Sequence, residues 1–169
     1  TLPYEGSAHV PFFVHTRNHD GLVSQPSDAL VGLEDIMPTV CDLAGAEIPD
    51  GVDGRSLLPV LRGQADSVRD AFFGEHSGGH ANHYVVQGRL KYCWYARTNE
   101  EQVFDLEEDP WELHDLSSDT SLLTPFREML AERLKDRDDY DYDMSKLTPL
   151  ANRTPTVFWS ETDQAEYPA

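Results

Sequence analysis

The chain has 169 residues, of which 39% are hydrophobic and 10% aromatic, enough apolar surface for a folded core and too much for wholesale disorder. Thirty-one acidic against 13 basic residues leave a formal net charge of −18, which excludes nucleic acid and anionic membrane surfaces as partners and reads most simply as a solubilising surface. No apolar run in the chain approaches the ~18 residues that a membrane span requires.

Taken in order, the first element is a compact turn, Tyr4-Glu5-Gly6-Ser7. It runs into Val10-Pro11-Phe12-Phe13-Val14, a short apolar stretch that suits a strand buried on both faces, with Pro11 at its start where no ladder donor is needed. Residues 17–26 are polar and read as a surface loop. Leu33, Ile36, Met37, Val40, Leu43 and Ala44 then follow the spacing of an amphipathic helix, with Glu34 and Asp35 at its start and Gly45 as its stop. Pro38 must lie in or near the first turn of that helix, since deeper placement breaks the hydrogen-bond ladder. The segment GVDGRSLLPVLRG reads as a glycine-rich turn and a short helix capped by Ser56.

The second half changes period. Ala71–Glu75 reads as a strand, and residues 77–82 as a loop rich in Gly and His. His83–Gln87 and Leu90–Ala96 flank Gly88-Arg89 and predict an antiparallel hairpin, with one further strand over Glu101–Leu106. Between Glu100 and Asp119 stand nine acidic residues and no Lys or Arg, which predicts a solvated loop around Asp109-Pro110-Trp111. Leu122, Leu123, Phe126, Met129, Leu130 and Leu134 mark one face of a long helix. Beyond Tyr140 the periodicity ends. The expected organisation is therefore 1–68 as α/β elements of a larger sheet, 69–140 as an antiparallel sheet with a helix packed on it, and 141–169 as an extended tail. One strand and one helix cannot bury both of their faces, so the first part is expected to need partners outside this chain, or else to self-associate.

Chemistry-bearing clusters are few. Three imidazoles and a carboxylate fall between Glu75 and His83 (Glu75, His76, His80, His83), and this segment reads as a solvated loop, a pocket wall or a metal-binding loop. Tyr4 and Glu5 read first as a brace for their own turn. Cys41 and Cys93 lack metal-type spacing and are expected as buried free thiols, with a disulfide left open. Trp94, Trp111 and Trp159 read as core or staple residues.

Four stretches in this order resemble the C-terminal part of type I sulfatases of the alkaline phosphatase superfamily. They are Tyr4-Glu5-Gly6-Ser7 with Val10-Pro11-Phe12; Leu33-Glu34-Asp35-Ile36-Met37-Pro38-Thr39 with Asp42-Leu43-Ala44-Gly45; Gly51-Val52-Asp53-Gly54-Arg55-Ser56-Leu57-Leu58-Pro59; and Gly88 to Tyr92 with Glu101 to Pro110, Glu112 and Leu113. The resemblance implies an α/β fold class, an α+β piece of the alkaline-phosphatase-like sulfatase fold in which a small antiparallel sheet packs on a long helix. It implies a parent enzyme that hydrolyses sulfate monoesters with a formylglycine nucleophile and a calcium ion, both held upstream of this chain.

No Cys or Ser followed by x-Pro-x-Arg occurs among the 169 residues, so the resemblance implies no catalytic or metal-ligating residue here, and the isolated chain is expected to be inactive. The family's sulfate-binding lysine would precede Thr1, and His9 stands where the family usually has Arg. The implied substrate-pocket candidates are His76, His83, Glu75, Tyr4 and His9. The implied partners are the N-terminal catalytic part of the same protein and a sulfate-ester small molecule or sugar, with homo-oligomerisation open. Family members are often periplasmic or secreted and some are cytoplasmic, which leaves the compartment unassigned. Two other readings stand beside this one: a phosphonate or phosphate ester hydrolase of the same superfamily, and a non-catalytic acidic binding module.

Overall fold

The computed structural model describes residues 2–15, 17, 21–76, 82–96, 98–137, 142–143 and 147–149. The chain forms two compact units, one of Pro11–Phe72 and one that joins Thr1–Val10 to Phe73–Ala169.

In the unit of Pro11–Phe72, a 3-10 turn at Leu33–Asp35 leads into α2 (Ile36–Leu43), and α3 follows at Leu58–Leu61. Gly45 ends the α2 segment at φ 66°, the left-handed geometry expected of a helix stop. Pro38 sits in the first turn of α2, as its missing N–H requires. The cap expected at Ser56 falls one residue later: Leu57 is the N-cap of α3 and no side chain caps the helix, while Ser56 Oγ accepts from Leu58 N at 3.2 Å.

The buried side of this unit sets Leu57, Leu58 and Pro38 beside a polar knot. Asp35 is fully buried, accepts from Gly32 N and Arg55 N at 2.8 Å each, and pairs with both terminal nitrogens of Arg69. Thr39 Oγ1 donates to Asp35 O at 2.6 Å and accepts from Leu57 N at 2.9 Å. Gly54 is required at this knot: a Cβ there would lie 1.9 Å from the Glu34 carbonyl oxygen.

The apolar stripe read from the sequence is present but faces outward. Leu33, Ile36, Met37, Val40 and Leu43 are all exposed. Val10–Val14 departs from the strand expectation, since it forms no ladder with any described residue and Phe13 is 87% exposed. A strand needs a neighbour to accept its backbone hydrogen bonds, and none of the described residues supplies one.

In the other unit, β1 (Ala71–His76), β2 (Asn82–Gln87), β3 (Leu90–Tyr95) and β4 (Glu100–Asp105) form a four-stranded sheet in the order β1-β2-β3-β4. Of the β1 strand, only Phe73 onward falls in this unit. The β2–β3 and β3–β4 pairings are antiparallel, with His83 opposite Trp94 and Tyr92 opposite Val103. Gly88, at φ 57°, turns the predicted hairpin.

Helix α4 (Thr120–Leu134) is capped by Asp119, whose side chain accepts from Ser121 N. It buries Leu123, Phe126, Leu130 and Leu134, and the Phe126 ring stacks on Tyr92 at 5.6 Å and 6°. Strand alternation sends Tyr92 and Trp94 to the α4 face and Lys91, Cys93 and Tyr95 to the other. Lys91, Tyr92, Cys93 and Trp94 are all fully buried, so both faces of β3 are covered. Two-residue strands β5 (Tyr142–Asp143) and β6 (Thr148–Pro149) pair within the tail. The remainder of the tail expectation, including Trp159, and the 77–81 part of the histidine loop lie outside the described residues.

Candidate functional site

The face of the sheet opposite α4 is covered by the first residues of the chain. Tyr4 caps a single helical turn, α1 (Glu5–Ala8), closed by bonds from Ser7 N and Ala8 N to the Tyr4 carbonyl. Tyr4 OH donates to Gln102 Oε1 at 3.0 Å, and Tyr95 OH lies 3.1 Å from the same oxygen. The Tyr4 ring meets Phe104 edge-on at 5.9 Å. Burial, followed by the hydrogen bond with Tyr4, raises the Tyr95 pKa far above the ordinary phenol value.

Beside these phenols lies a buried ion cluster. Lys91 Nζ is 2.8 Å from Glu5 Oε1 and 3.0 Å from Glu112 Oε1, with the Tyr84 ring centroid at 5.2 Å. Glu5 N donates to Glu112 Oε2 at 2.5 Å. His9 Nδ1 stands 2.9 Å from Glu5 Oε2 on the solvent side. Gly74 makes room for the Tyr84 ring, because a Cβ at that position would lie 2.0 Å from it.

Glu112 corrects the expectation of a merely solvated acidic loop. Its backbone is left-handed, at φ 54°, a conformation costing a non-glycine residue about 1 kcal/mol or more. That geometry turns the carboxylate inward, to 2% exposure, while leaving Trp111 80% and Leu113 74% exposed. Trp111 is therefore no core residue, whereas Trp94 is fully buried as expected. Other acids of the loop brace turns: Asp109 accepts from His114 N, and Asp115 accepts from Val103 N and Ser117 N.

The five candidate residues do not converge. Tyr4 and His9 lie on the face opposite α4. Glu75 and His83 lie on the α4 face, where His83 stacks on Trp94 at 5.5 Å and its Nδ1 is 3.6 Å from Glu75 Oε2. Glu75 pairs with Arg137, just beyond α4. His83 is buried to 1% exposure, and His76 ends β1 half-buried. Lys91 and Glu112 were not singled out from sequence. The available signal was a lone cation inside the apolar run LKYCWY, where a central strand leaves it no route to water.

Both cysteines are free. Cys93 is fully buried, and burial pushes its thiol up to about 12, whereas Cys41 is half-exposed, contrary to the expectation that both are buried. A thiol reagent at neutral pH should therefore label one site promptly, Cys41, and reach Cys93 only in denaturant. Equal rates at both sites would contradict this placement.

A small sheet covered by a long helix on one face and an N-terminal turn on the other defines the class: an α+β piece of the alkaline-phosphatase-like sulfatase fold. A solved 2-O GAG sulfatase superposes with a TM-score of 0.56 at 32% identity, over 72% of this chain and 28% of that one. A phosphonate monoester hydrolase from Silicibacter pomeroyi superposes with a TM-score of 0.50 at 28% identity, over 62% of this chain and 25% of that one.

The family follows from the sequence profile of N-sulphoglucosamine sulphohydrolase, C-terminal, which matches residues 1–140, and the chain belongs to that family. An arylsulfatase of Clostridium perfringens (strain 13 / Type A) is 39% identical over 152 residues, covering 86% of this chain. The chain spans 32% of that arylsulfatase, so most of the relative's length has no counterpart here.

Proposed function

We propose that this chain is the C-terminal part of a sulfatase whose upstream part hydrolyses sulfate monoesters. The observation that carries the proposal is the family match across residues 1–140, in a chain that spans only 32% of its arylsulfatase relative. In this reading the formylglycine nucleophile, the calcium ion and the sulfate-binding lysine all belong to the upstream part. Calcium prefers several carboxylate and carbonyl oxygens, and would act there as a Lewis acid on the sulfate. Among the described residues no three His, Cys, Asp or Glu side chains gather to hold a metal.

The outward stripe of α2, with Leu33, Ile36, Met37, Val40 and Leu43, is the surface that the upstream part would cover. His76, His83 and Glu75 remain candidates for the pocket mouth, and the substrate class is a sulfate ester of a small molecule or sugar. Phosphonate or phosphate ester hydrolysis is the second reading, favoured by the likeness to the phosphonate monoester hydrolase. Incubated alone with an aryl sulfate and calcium, the 169-residue chain should show no turnover above buffer. Turnover that its own point variants abolish would overturn this division of labour.

A further inference from the structure

We propose that Lys91 is a positioning residue, one that holds the Tyr4–His9 turn and the polypeptide leading into it at a fixed register on the sheet. This rests on the reading that the upstream polypeptide carries the sulfate-ester chemistry. Three observations point to it. Lys91 is fully buried on the central strand, yet its two carboxylate partners come from outside the sheet, at Glu5 and Glu112.

Beyond its His9 contact inside the turn, Glu5 has two ties to the rest of the unit, its side chain to Lys91 and its backbone N–H to Glu112, so a slip of one residue would break both. The Glu112 backbone is held in the left-handed region, the geometry in which its carboxylate meets both partners. Burying an apolar residue at position 91 would stabilise the sheet without any of these costs. What three charges add is specificity of placement. Undocking the turn would leave Lys91 and Glu112 in apolar surroundings with one partner lost, so the docked register is the one in which the charges are matched.

The preceding chain therefore leaves the sheet from a point set by a residue of the C-terminal part. Reacting groups attached to that preceding chain would be aligned through it, and misalignment acts on turnover more than on substrate capture.

The test uses the full-length protein with two substitutions. Lys91→Met removes the cation. Glu5→Gln keeps the Lys91–Glu112 pair and loosens only the turn, so it stays informative if Lys91→Met fails to fold. Hydrogen exchange at Ser7, Ala8 and His9 should accelerate about tenfold or more in Glu5→Gln, while β3 and β4 amides change less than about threefold. With an aryl sulfate, kcat should fall about tenfold or more while KM stays within about threefold. Exchange that rises equally across the sheet, unchanged exchange in the turn, or a loosened turn with unchanged kcat would each overturn the proposal. Absence of sulfate-ester turnover in the wild-type protein would sink the functional reading instead, and the exchange contrast would then decide the role of Lys91 by itself.

Discussion

Asp35→Ala should destabilise the chain by about 3–5 kcal/mol, because it leaves the Arg69 guanidinium buried without its counter-charge. The Arg69 side chain is 7% exposed and the Asp35 side chain 0%, so water replaces the lost partner poorly. Gly32 N and Arg55 N lose their acceptor in the same step. The loss is comparable with the total stability of many domains, about 5–15 kcal/mol, so α2 and the Gly54 loop should lose most of their protection.

The pH dependence has a definite sign. Burial raises the Asp35 pKa, but the Arg69 hydrogen bond and the N–H groups of Arg55 and Gly32 outweigh it, and the net shift is downward. A carboxylate held below its unfolded value of about 3.9 stabilises fully above that pH and loses the contribution as pH falls through the folded value. The gap between wild type and Asp35→Asn should therefore be flat from about pH 5 upward and close below about pH 4. Urea unfolding across that range measures it. A gap under about 1 kcal/mol at neutral pH, or one that widens on acidification, would contradict the knot as described.

Phe126→Ala should cost the sheet unit a similar amount, about 3–5 kcal/mol, through lost apolar contact and the cavity left behind. Phe126 is 4% exposed, and its ring lies flat on Tyr92, itself fully buried on the central strand. Leu123, Leu130 and Leu134 flank it along α4, so little can collapse into the gap without shifting the helix. Arg127, beside it, holds Glu101, whose carboxylate also accepts from Tyr92 OH at 2.7 Å. The ion pair is partly exposed and contributes little by itself, so the ring should dominate. The urea midpoint of Phe126→Leu should fall between those of wild type and Phe126→Ala. Equal midpoints for wild type and Phe126→Ala would show that α4 does not hold the sheet through this contact.

What was legible in the sequence was what repeats locally. The hairpin around Gly88-Arg89, the strand ending near Asp105 and the long helix through Phe126 all announce themselves by period within about ten residues. Helix α2 was equally legible as a helix, but its spacing does not say which side is covered. Within this chain the side of Asp35 and Thr39 is buried and the apolar stripe faces out, a pattern that only the partners of those residues reveal. The Glu5–Lys91 contact joins residues 86 positions apart and leaves no periodic trace. Their sequence marks Tyr4 and Glu5 as a brace for their own turn. The Tyr4 carbonyl closes that turn, whereas the Glu5 carboxylate meets Lys91 and His9; Tyr4 OH and Glu5 N reach further, to Gln102 and Glu112. The pocket candidates fall on opposite faces of the sheet: Tyr4 and His9 cap a turn that docks on Gln102 and Lys91, whereas Glu75 and His83 stand on neighbouring strands and point to the α4 face, a separation that the sequence does not show.

The proposed function is that these residues complete a sulfatase. The measurement that tests it most directly is the release of inorganic sulfate from an aryl sulfate by the full-length protein with calcium present, set beside a phosphonate monoester under the same conditions. Sustained sulfate release that exceeds phosphonate hydrolysis is expected. Phosphonate hydrolysis without sulfate release, or no turnover of either ester, would contradict it.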